Sequence, residues 1–307
     1  GGRATFQFVA RRFYKDHLPG NGYDVVIEDM NKIPLFVPRW KPRRTVALVH
    51  HLFGTTAFRE ASAPVAAMVW LSERPIRWIY RDTPFEAVSD STTQDLVSRG
   101  IPRQSIRVIY NGVDVEALTP NPAERSATPL FSYFGRLKKY KRVDIVIRAF
   151  AELENPDARL EIAGSGDFRA SLEKLVASLG MQQRVKFAGR ITEEEKLSLL
   201  RRSWASVIAS PKEGWGITNL ETAACGTPVI AVDSPGIRES VVDGKTGFLV
   251  PSSPTAIAQR MSELIADPGL VETLGRQGRI FAEGFTWERA ADDTEADLEA
   301  IIRGSGR

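Results

Sequence analysis

Pro211-Lys-Glu-Gly-Trp-Gly-Ile-Thr-Asn-Leu-Glu-Thr-Ala-Ala-Cys-Gly-Thr-Pro228 is the stretch on which the reading of this chain turns. It follows the apolar run Ala205–Ile208, which reads as a buried strand. Gly214 and Gly216 let the backbone turn sharply and approach a ligand closely. A helix is then expected from near Ile217 to Gly226, with Pro228 beyond it as a stop signal. The start of such a helix, at Ile217 and Thr218, presents unpaired N–H groups and a partial positive charge, a ready site for a diphosphate. Glu213 sits on the loop and Glu221 about one turn into the helix, so both carboxylates can border one pocket and accept from vicinal sugar hydroxyls. Loop composition alone leaves a second reading open: a glycine-rich connection with two solvated glutamates.

Working outward, short apolar runs alternate with helical stretches. Strands are expected at Asp24–Glu28, Thr45–Val49, Phe85–Ser89, Ile106–Ile109, Leu130–Phe134, Arg159–Ala163, Val185–Ala188, Ala205–Ile208 and Val229–Val232. Several read as continuous Val/Ile/Ala/Leu, the pattern of strands buried on both faces of a parallel sheet. Helices are expected at 59–80, 91–99, 143–152, 167–179, 192–202, 217–225, 254–266 and 287–302. The alternation points to an α/β chain with doubly wound parallel sheets.

The 307 residues suggest two domains. Pro120, Pro122 and Pro129 interrupt a stretch without apolar periodicity, and Asn111-Gly112 just upstream is a turn signal suited to a hinge. The expected domains are 1–112 and 113–285, with a helix over 286–303 that follows the second and is placed to return to the first. The opening is unusual: Gly1-Gly2 leads straight into a helical stretch, Ala4–His17, with no strand before it. The expectation is a first domain lacking its first βα units.

Two further loops follow strand candidates, where open α/β sheets bind their ligands. Gly135-Arg-Leu-Lys-Lys-Tyr-Lys-Arg142 follows Leu130–Phe134, and its cations suit a departing diphosphate; as a charge run, it also reads as a solvated basic loop. Ala163-Gly-Ser-Gly166 is short and glycine-rich, weak alone and stronger beside the other two.

These residues carry a resemblance. The chain resembles the retaining glycosyltransferases of the GT-B fold, family 4. Glu213 to Glu221 is similar to that family's glutamate–seven-residue–glutamate segment, and Ala224–Ala231 and Gly236–Leu249 to its usual sequels. Ser132–Leu137 through Lys141–Asp144 resembles its diphosphate-binding segment, and Ala87–Ser91 and Val108–Asp114 its approach to the hinge. The resemblance covers roughly residues 45 to 302, and the segments come in the right order.

It implies two Rossmann-like doubly wound parallel-sheet domains facing a cleft, the first truncated here. It further implies that Glu213 contacts the donor sugar's hydroxyls, that Glu221 holds the ribose, and that Arg136 and Lys141 bind the diphosphate. Backbone N–H groups around Gly214, Trp215, Gly216, Ile217 and Thr218 would assist. Gly135, Ser165 and Gly166 would line the nucleotide pocket, with Arg190 and Ile191 beside the base. His50, at the end of Thr45–Val49, matches the family's catalytic-site histidine, while His51 stands where an aspartate is common. Thr218-Asn219 departs from the usual proline-containing step, which bears on sugar preference. The implied reaction is retaining transfer of a hexose, with mannose preferred, from a GDP- or UDP-linked donor to a hydroxyl of a glycan or lipid-linked acceptor, without metal or other cofactor. The alternatives are a fragment that binds nucleotide without transfer, and a GT-B sugar-nucleotide epimerase; the latter is disfavoured by having only His17, His50 and His51.

Composition sets the outer limits. With 43% hydrophobic and 26% charged residues the chain reads as globular and soluble. A single cysteine, Cys225, excludes a disulfide framework and suits a reducing compartment, so a cytoplasmic location is expected. The nearly apolar run Ala61–Leu71 is too short to span a bilayer. Residues 1–112 carry 16 Lys/Arg against 10 Asp/Glu, and the remainder 25 against 28. A basic first half suits an anionic partner. Nucleic acid is not expected, since no zinc-finger spacing or RNA-recognition segment occurs. Ala61–Tyr80 mixes Met68, Trp78 and Tyr80 with Arg74 and Arg77, a pattern read either as peripheral contact with the inner membrane face or as a core-packed helix with a basic solvent side.

Overall fold

Each of the nine apolar runs carries a strand in the computed structural model, whose described residues are 6–18, 22–30, 33–60 and 62–304. The start of the expected opening helix at Ala4, the Gly1-Gly2 pair and Ala61 lie outside the described residues. The chain divides into two compact units, Gly1–Tyr110 with Glu288–Arg307, and Asn111–Trp287.

The first unit runs α1 (Phe6–His17), β1 (Val26–Met30), β2 (Thr45–Val49), α2 (Ala57–Glu60), α3 (Ala63–Glu73), α4 (Ile76–Ile79), β3 (Phe85–Ala87), α5 (Asp90–Ser98) and β4 (Ile106–Val108). The strands pair in parallel in the order β1-β2-β3-β4, around a core that includes Met30, Val49, Ile76, Tyr80, Phe85 and Leu96. Two expectations change here. The single helix over 59–80 is three pieces, because Pro64 fits only the first turn of α3 and Pro75 opens α4. The first strand lies two residues later than Asp24–Glu28, so that Glu28 and Met30 face inward. Burial of Glu28 raises its pKa, yet its carboxylate is satisfied by Leu35 N–H at 2.6 Å, Val37 N–H at 3.1 Å and the Tyr80 hydroxyl at 2.8 Å.

The second unit runs β5 (Leu130–Phe134), α6 (Val143–Ala151), β6 (Arg159–Ala163), α7 (Arg169–Ser178), β7 (Val185–Gly189), α8 (Glu193–Arg202), β8 (Ala205–Ile208), α9 (Ile217–Ala224), β9 (Val229–Val232), β10 (Gly247–Val250), α10 (Pro254–Ala266) and α11 (Pro268–Ala282). Its six strands are all parallel, in the order β10-β9-β8-β5-β6-β7. Strands β5 to β7 build in one direction and β8 to β10 in the other, so the order reverses between β5 and β8. There Ser132 and Ser206 face each other, their hydroxyls 2.8 Å apart. In a doubly wound sheet the loops leaving the two strands at such a reversal part and open a crevice. Phe131, Val146, Phe150, Leu160, Val207, Ile230 and Met261, all fully buried, form the centre of its core.

The proline-rich stretch after Leu118 lies inside the second unit. Arg201 donates to the Thr119 carbonyl at 2.7 Å, and Arg125 to Thr227 Oγ1 and the Gly226 carbonyl, each at 2.9 Å. The last helix, α12 (Trp287–Arg303), contributes all but its first residue to the first unit. There Ile301 is buried, and Asp293 lies 3.8 Å from Arg107.

Candidate functional site

Three loops meet at the carboxyl ends of β5, β6 and β7. Gly135 N–H donates to Ala163 O at 3.0 Å, Leu137 N–H to Ser165 O at 2.9 Å, and Gly164 N–H to Gly189 O at 2.6 Å. The approach is possible only without side chains: a Cβ on Gly164 would stand 1.8 Å from Gly135 O, and one on Gly166 would stand 2.1 Å from Leu137 O. Gly135, Ser165, Gly166 and the Gly189-Arg190-Ile191 turn therefore share one rim, with Arg190 exposed and Ile191 half-buried.

Across the reversal point, the loop leaving β8 brings Glu213 to the loop leaving β5. Lys141 Nζ lies 2.5 Å from Glu213 Oε1, both side chains mostly buried. Arg136 reaches the same place through Tyr140. It donates to the Tyr140 hydroxyl at 2.7 Å, and Lys141 Nζ lies 5.3 Å from the centre of that ring. The two cations singled out in the sequence thus flank one aromatic ring, and Tyr140 is a member of the site that the sequence reading passed over.

Glu213 is held from behind. Its N–H donates to Pro235 O at 3.0 Å, and a Cβ on Gly236 would stand 2.2 Å from its carbonyl. Gly216 takes a left-handed conformation at φ 77° and starts α9, whose first turn no side chain caps. The Gly214–Thr218 backbone thus runs directly from Glu213 into the start of α9. Trp215 plays a different part from its neighbours. Its indole is buried, donates to Asn111 O at 3.1 Å and packs on Phe285, so its side chain is framework.

Glu221, on α9, meets Lys196 of α8: Lys196 Nζ lies 2.9 Å from Glu221 Oε1 and 2.5 Å from Glu193 Oε2. Burial works against the Lys196 ammonium, but the two carboxylates more than offset it, and its pKa lies above the ordinary lysine value. Lys196 is not among the residues singled out from the sequence, where it lies within the helix expected over 192–202 and follows three glutamates, with nothing to mark it as turned inward. Cys225 is buried with its thiol pushed up to about 12, which leaves it unreactive.

His50 lies in the first unit, just past β2. Its Nε2 is 3.4 Å from Asp29 Oδ1, and its carbonyl accepts from Thr92 Oγ1. His51 packs edge-on to Phe53 at 4.7 Å. The loop beyond is pinned by buried Glu73, which accepts from the Phe53 and Gly54 N–H groups at 2.8 Å and pairs with Arg99 at 2.9 Å. Among the described residues no three His, Cys, Asp or Glu side chains are grouped to hold a metal ion. No helix among them is long and apolar enough to cross a membrane.

Comparison with known proteins finds glycosyltransferases. Residues 114–281 match the family described as glycosyl transferases group 1, and residues 2–117 match glycosyltransferase family 4. A D-inositol 3-phosphate glycosyltransferase of Streptomyces bingchenggensis is 30% identical over 302 residues, covering 89% of this chain and 65% of the relative. A GDP-mannose-dependent alpha-(1-6)-phosphatidylinositol monomannoside mannosyltransferase of Mycolicibacterium smegmatis is 32% identical over 222 residues, covering 65% of this chain and 58% of the relative. The chain thus spans less than two thirds of the length of either relative. Among solved structures, sucrose-phosphate synthase from Thermosynechococcus elongatus superposes with a TM-score of 0.83 at 24% identity, over 99% of this chain and 81% of the other. Anabaena HepE in complex with UDP and glucose superposes at 0.77 and 20% identity, over 97% of this chain and 81% of the other.

Proposed function

Because the chain belongs to the group 1 glycosyltransferases, whose family match spans more than half of it, we propose that it is a retaining hexosyltransferase using a nucleoside-diphosphate sugar. Its two parallel-sheet α/β units are those of the GT-B glycosyltransferase fold. The observation that carries the proposal is the meeting of Lys141, Arg136 and Glu213 at the reversal point of the second sheet.

In this reading the donor's diphosphate takes the place beside Lys141, Arg136 and the first amides of α9. Negative charge grows on the diphosphate as the bond to the sugar's anomeric carbon breaks, and donors already aimed there stabilise it with little reorganisation. In the same step Lys141 exchanges part of its pairing with Glu213 for phosphate, which frees a Glu213 oxygen to accept from a sugar hydroxyl. Glu221 takes the ribose, and the rim of Gly135, Ser165, Gly166, Arg190 and Ile191 takes the nucleoside. The acceptor oxygen forms its bond on the face the diphosphate leaves, and its proton passes to the departing phosphate oxygen. His50 is the acceptor-side candidate. The two cations neutralise the diphosphate, so the proposed reaction needs no metal ion.

Mannose is the favoured sugar, supported by the GDP-mannose-dependent relative; the Anabaena structure with UDP and glucose keeps UDP-linked donors in the set. A lipid-linked or glycan acceptor at the cytoplasmic membrane face is supported by a surface on the first unit. There Phe58, Met68, Leu71 and Trp78 are exposed, and Arg74 and Arg77 each stack at 4.0 Å on Trp70 and Trp78 respectively.

Calorimetry with GDP and UDP, paired with transfer of radiolabelled sugar in excess EDTA, tests the proposal. Binding and transfer should both persist in EDTA, and Lys141→Ala should weaken nucleotide binding at least about tenfold, the scale of one charge-assisted contact. Failure of every sugar nucleotide to bind would sink the assignment, and binding without transfer would reduce the chain to a nucleotide-binding piece.

A further inference from the structure

Lysine is seldom buried unless paired, because removing an ammonium from water is costly. Lys196 is only 5% exposed. It stands on the first turn of α8, whose start is fixed by reciprocal hydrogen bonds between Thr192 and Glu195. From there it reaches Glu221 on α9, and it lies 5.5 Å from the centre of the Phe134 ring at the end of β5. One side chain thus joins three elements beside the reversal point of the sheet.

Its two carboxylate partners are unequal. Glu193 is 85% exposed at its side chain, so water screens that pair; Glu221 is only 17% exposed. Lys196 holds Glu221 by Oε1, and Oε2 has no partner among the described residues. A carboxylate with one oxygen pinned and the other open is an oriented acceptor.

We infer that Lys196 is a positioning residue for ribose recognition, holding Glu221 so that its open oxygen accepts from the 2′ and 3′ hydroxyls of a nucleoside diphosphate. The inference rests on the reading of Glu221 as the ribose-holding carboxylate. Without the ammonium, Glu221 loses both its anchor and its compensating charge, and the preference for ribonucleotides over 2′-deoxyribonucleotides falls with it.

The test is calorimetric titration of the whole chain with UDP, GDP and their 2′-deoxy counterparts, for wild type, Lys196→Met, Lys196→Arg, Glu193→Gln and Glu221→Ala, with a thermal melt of each. Wild type should prefer the ribonucleotide about tenfold or more, the worth of a hydroxyl donated to a charged acceptor. Lys196→Met should bring that ratio close to one while deoxynucleotide affinity stays within about threefold. Lys196→Arg should restore part of the ratio, and Glu193→Gln should leave it intact. A structural role alone would weaken both nucleotides together. If Glu221→Ala abolishes the preference and folded Lys196→Met retains it, the inference fails and the reading of Glu221 stands. If Glu221→Ala retains the preference, that reading itself fails. Should Lys196→Met not melt cooperatively, Lys196→Gln takes its place under the same criterion.

Discussion

Arg142 is held at φ 53° and ψ 37°, the left-handed region, immediately before α6. A side chain there costs about 1–2 kcal/mol relative to right-handed backbone, and glycine escapes the cost. The return on this strain is small. The Arg142 guanidinium meets Asp144 at 3.1 Å, but its side chain is 43% exposed, and such pairs contribute about 0–1 kcal/mol. The strain lies one residue from Lys141 and sets the direction in which the Arg136–Lys141 loop enters the helix. Arg142→Gly should therefore be more stable than Arg142→Ala by about 1 kcal/mol and at least equal to wild type, measured by urea denaturation. An alanine variant as stable as the glycine variant would show that the conformation carries no cost.

At the scale of elements, the site is made by backbones that touch. The β5, β6 and β7 loops are laced by the Gly135–Ala163, Leu137–Ser165 and Gly164–Gly189 hydrogen bonds. Gly164→Ala puts a methyl group on Gly135 O and also strains a residue at φ 134°. The loops must part, and the expected result is a loss of about 1–3 kcal/mol in stability, with nucleotide affinity falling more than tenfold; denaturation and calorimetry on one preparation measure both. Elements were legible where local pattern and tertiary role agree: continuous apolar runs gave Leu130–Phe134, Arg159–Ala163, Ala205–Ile208 and Val229–Val232 to the residue. They were illegible where packing overrides propensity. Helix α11 carries Gly269, Gly275 and Gly278, each unfavourable in a helix, yet a Cβ on Gly275 would stand 2.2 Å from Gly226 O, so close packing against the end of α9 demands a residue without one. Strand β10 opens on Gly247 for the same reason, since a Cβ there would meet Val229 O at 2.1 Å. The loops that carry the candidate site residues were legible because glycine and charge mark them. Lys196, Tyr140 and Asp29 were not, because only the folded chain shows that a lysine in a charge run turns inward, or that β1 ends its Asp29 beside His50.

Over the molecule as a whole, charge is unevenly distributed. Residues 1–112 carry 16 Lys/Arg against 10 Asp/Glu. The second unit concentrates its relevant cations, Arg136 and Lys141, in one place. The excess of the first half has no comparable focus; it accompanies exposed Phe58, Met68, Leu71 and Trp78 on α2, α3 and α4. Indole and guanidinium stacked as in Trp78–Arg77 combine an apolar body with a charge, the pair of properties that holds a surface at a headgroup boundary. Each Lys or Arg near an anionic bilayer contributes about 1 kcal/mol, and raising salt from 0.1 M to 1 M shortens the reach of that attraction from about 10 Å to about 3 Å. The chain should therefore sediment with vesicles containing anionic lipid at 0.1 M salt, and release in 1 M salt or from neutral vesicles. Trp78→Ala should weaken this association by removing the apolar contact, while its affinity for nucleotide stays at the wild-type value because Trp78 belongs to the other unit. Equal sedimentation with anionic and neutral vesicles would assign the exposed surface to something other than a membrane.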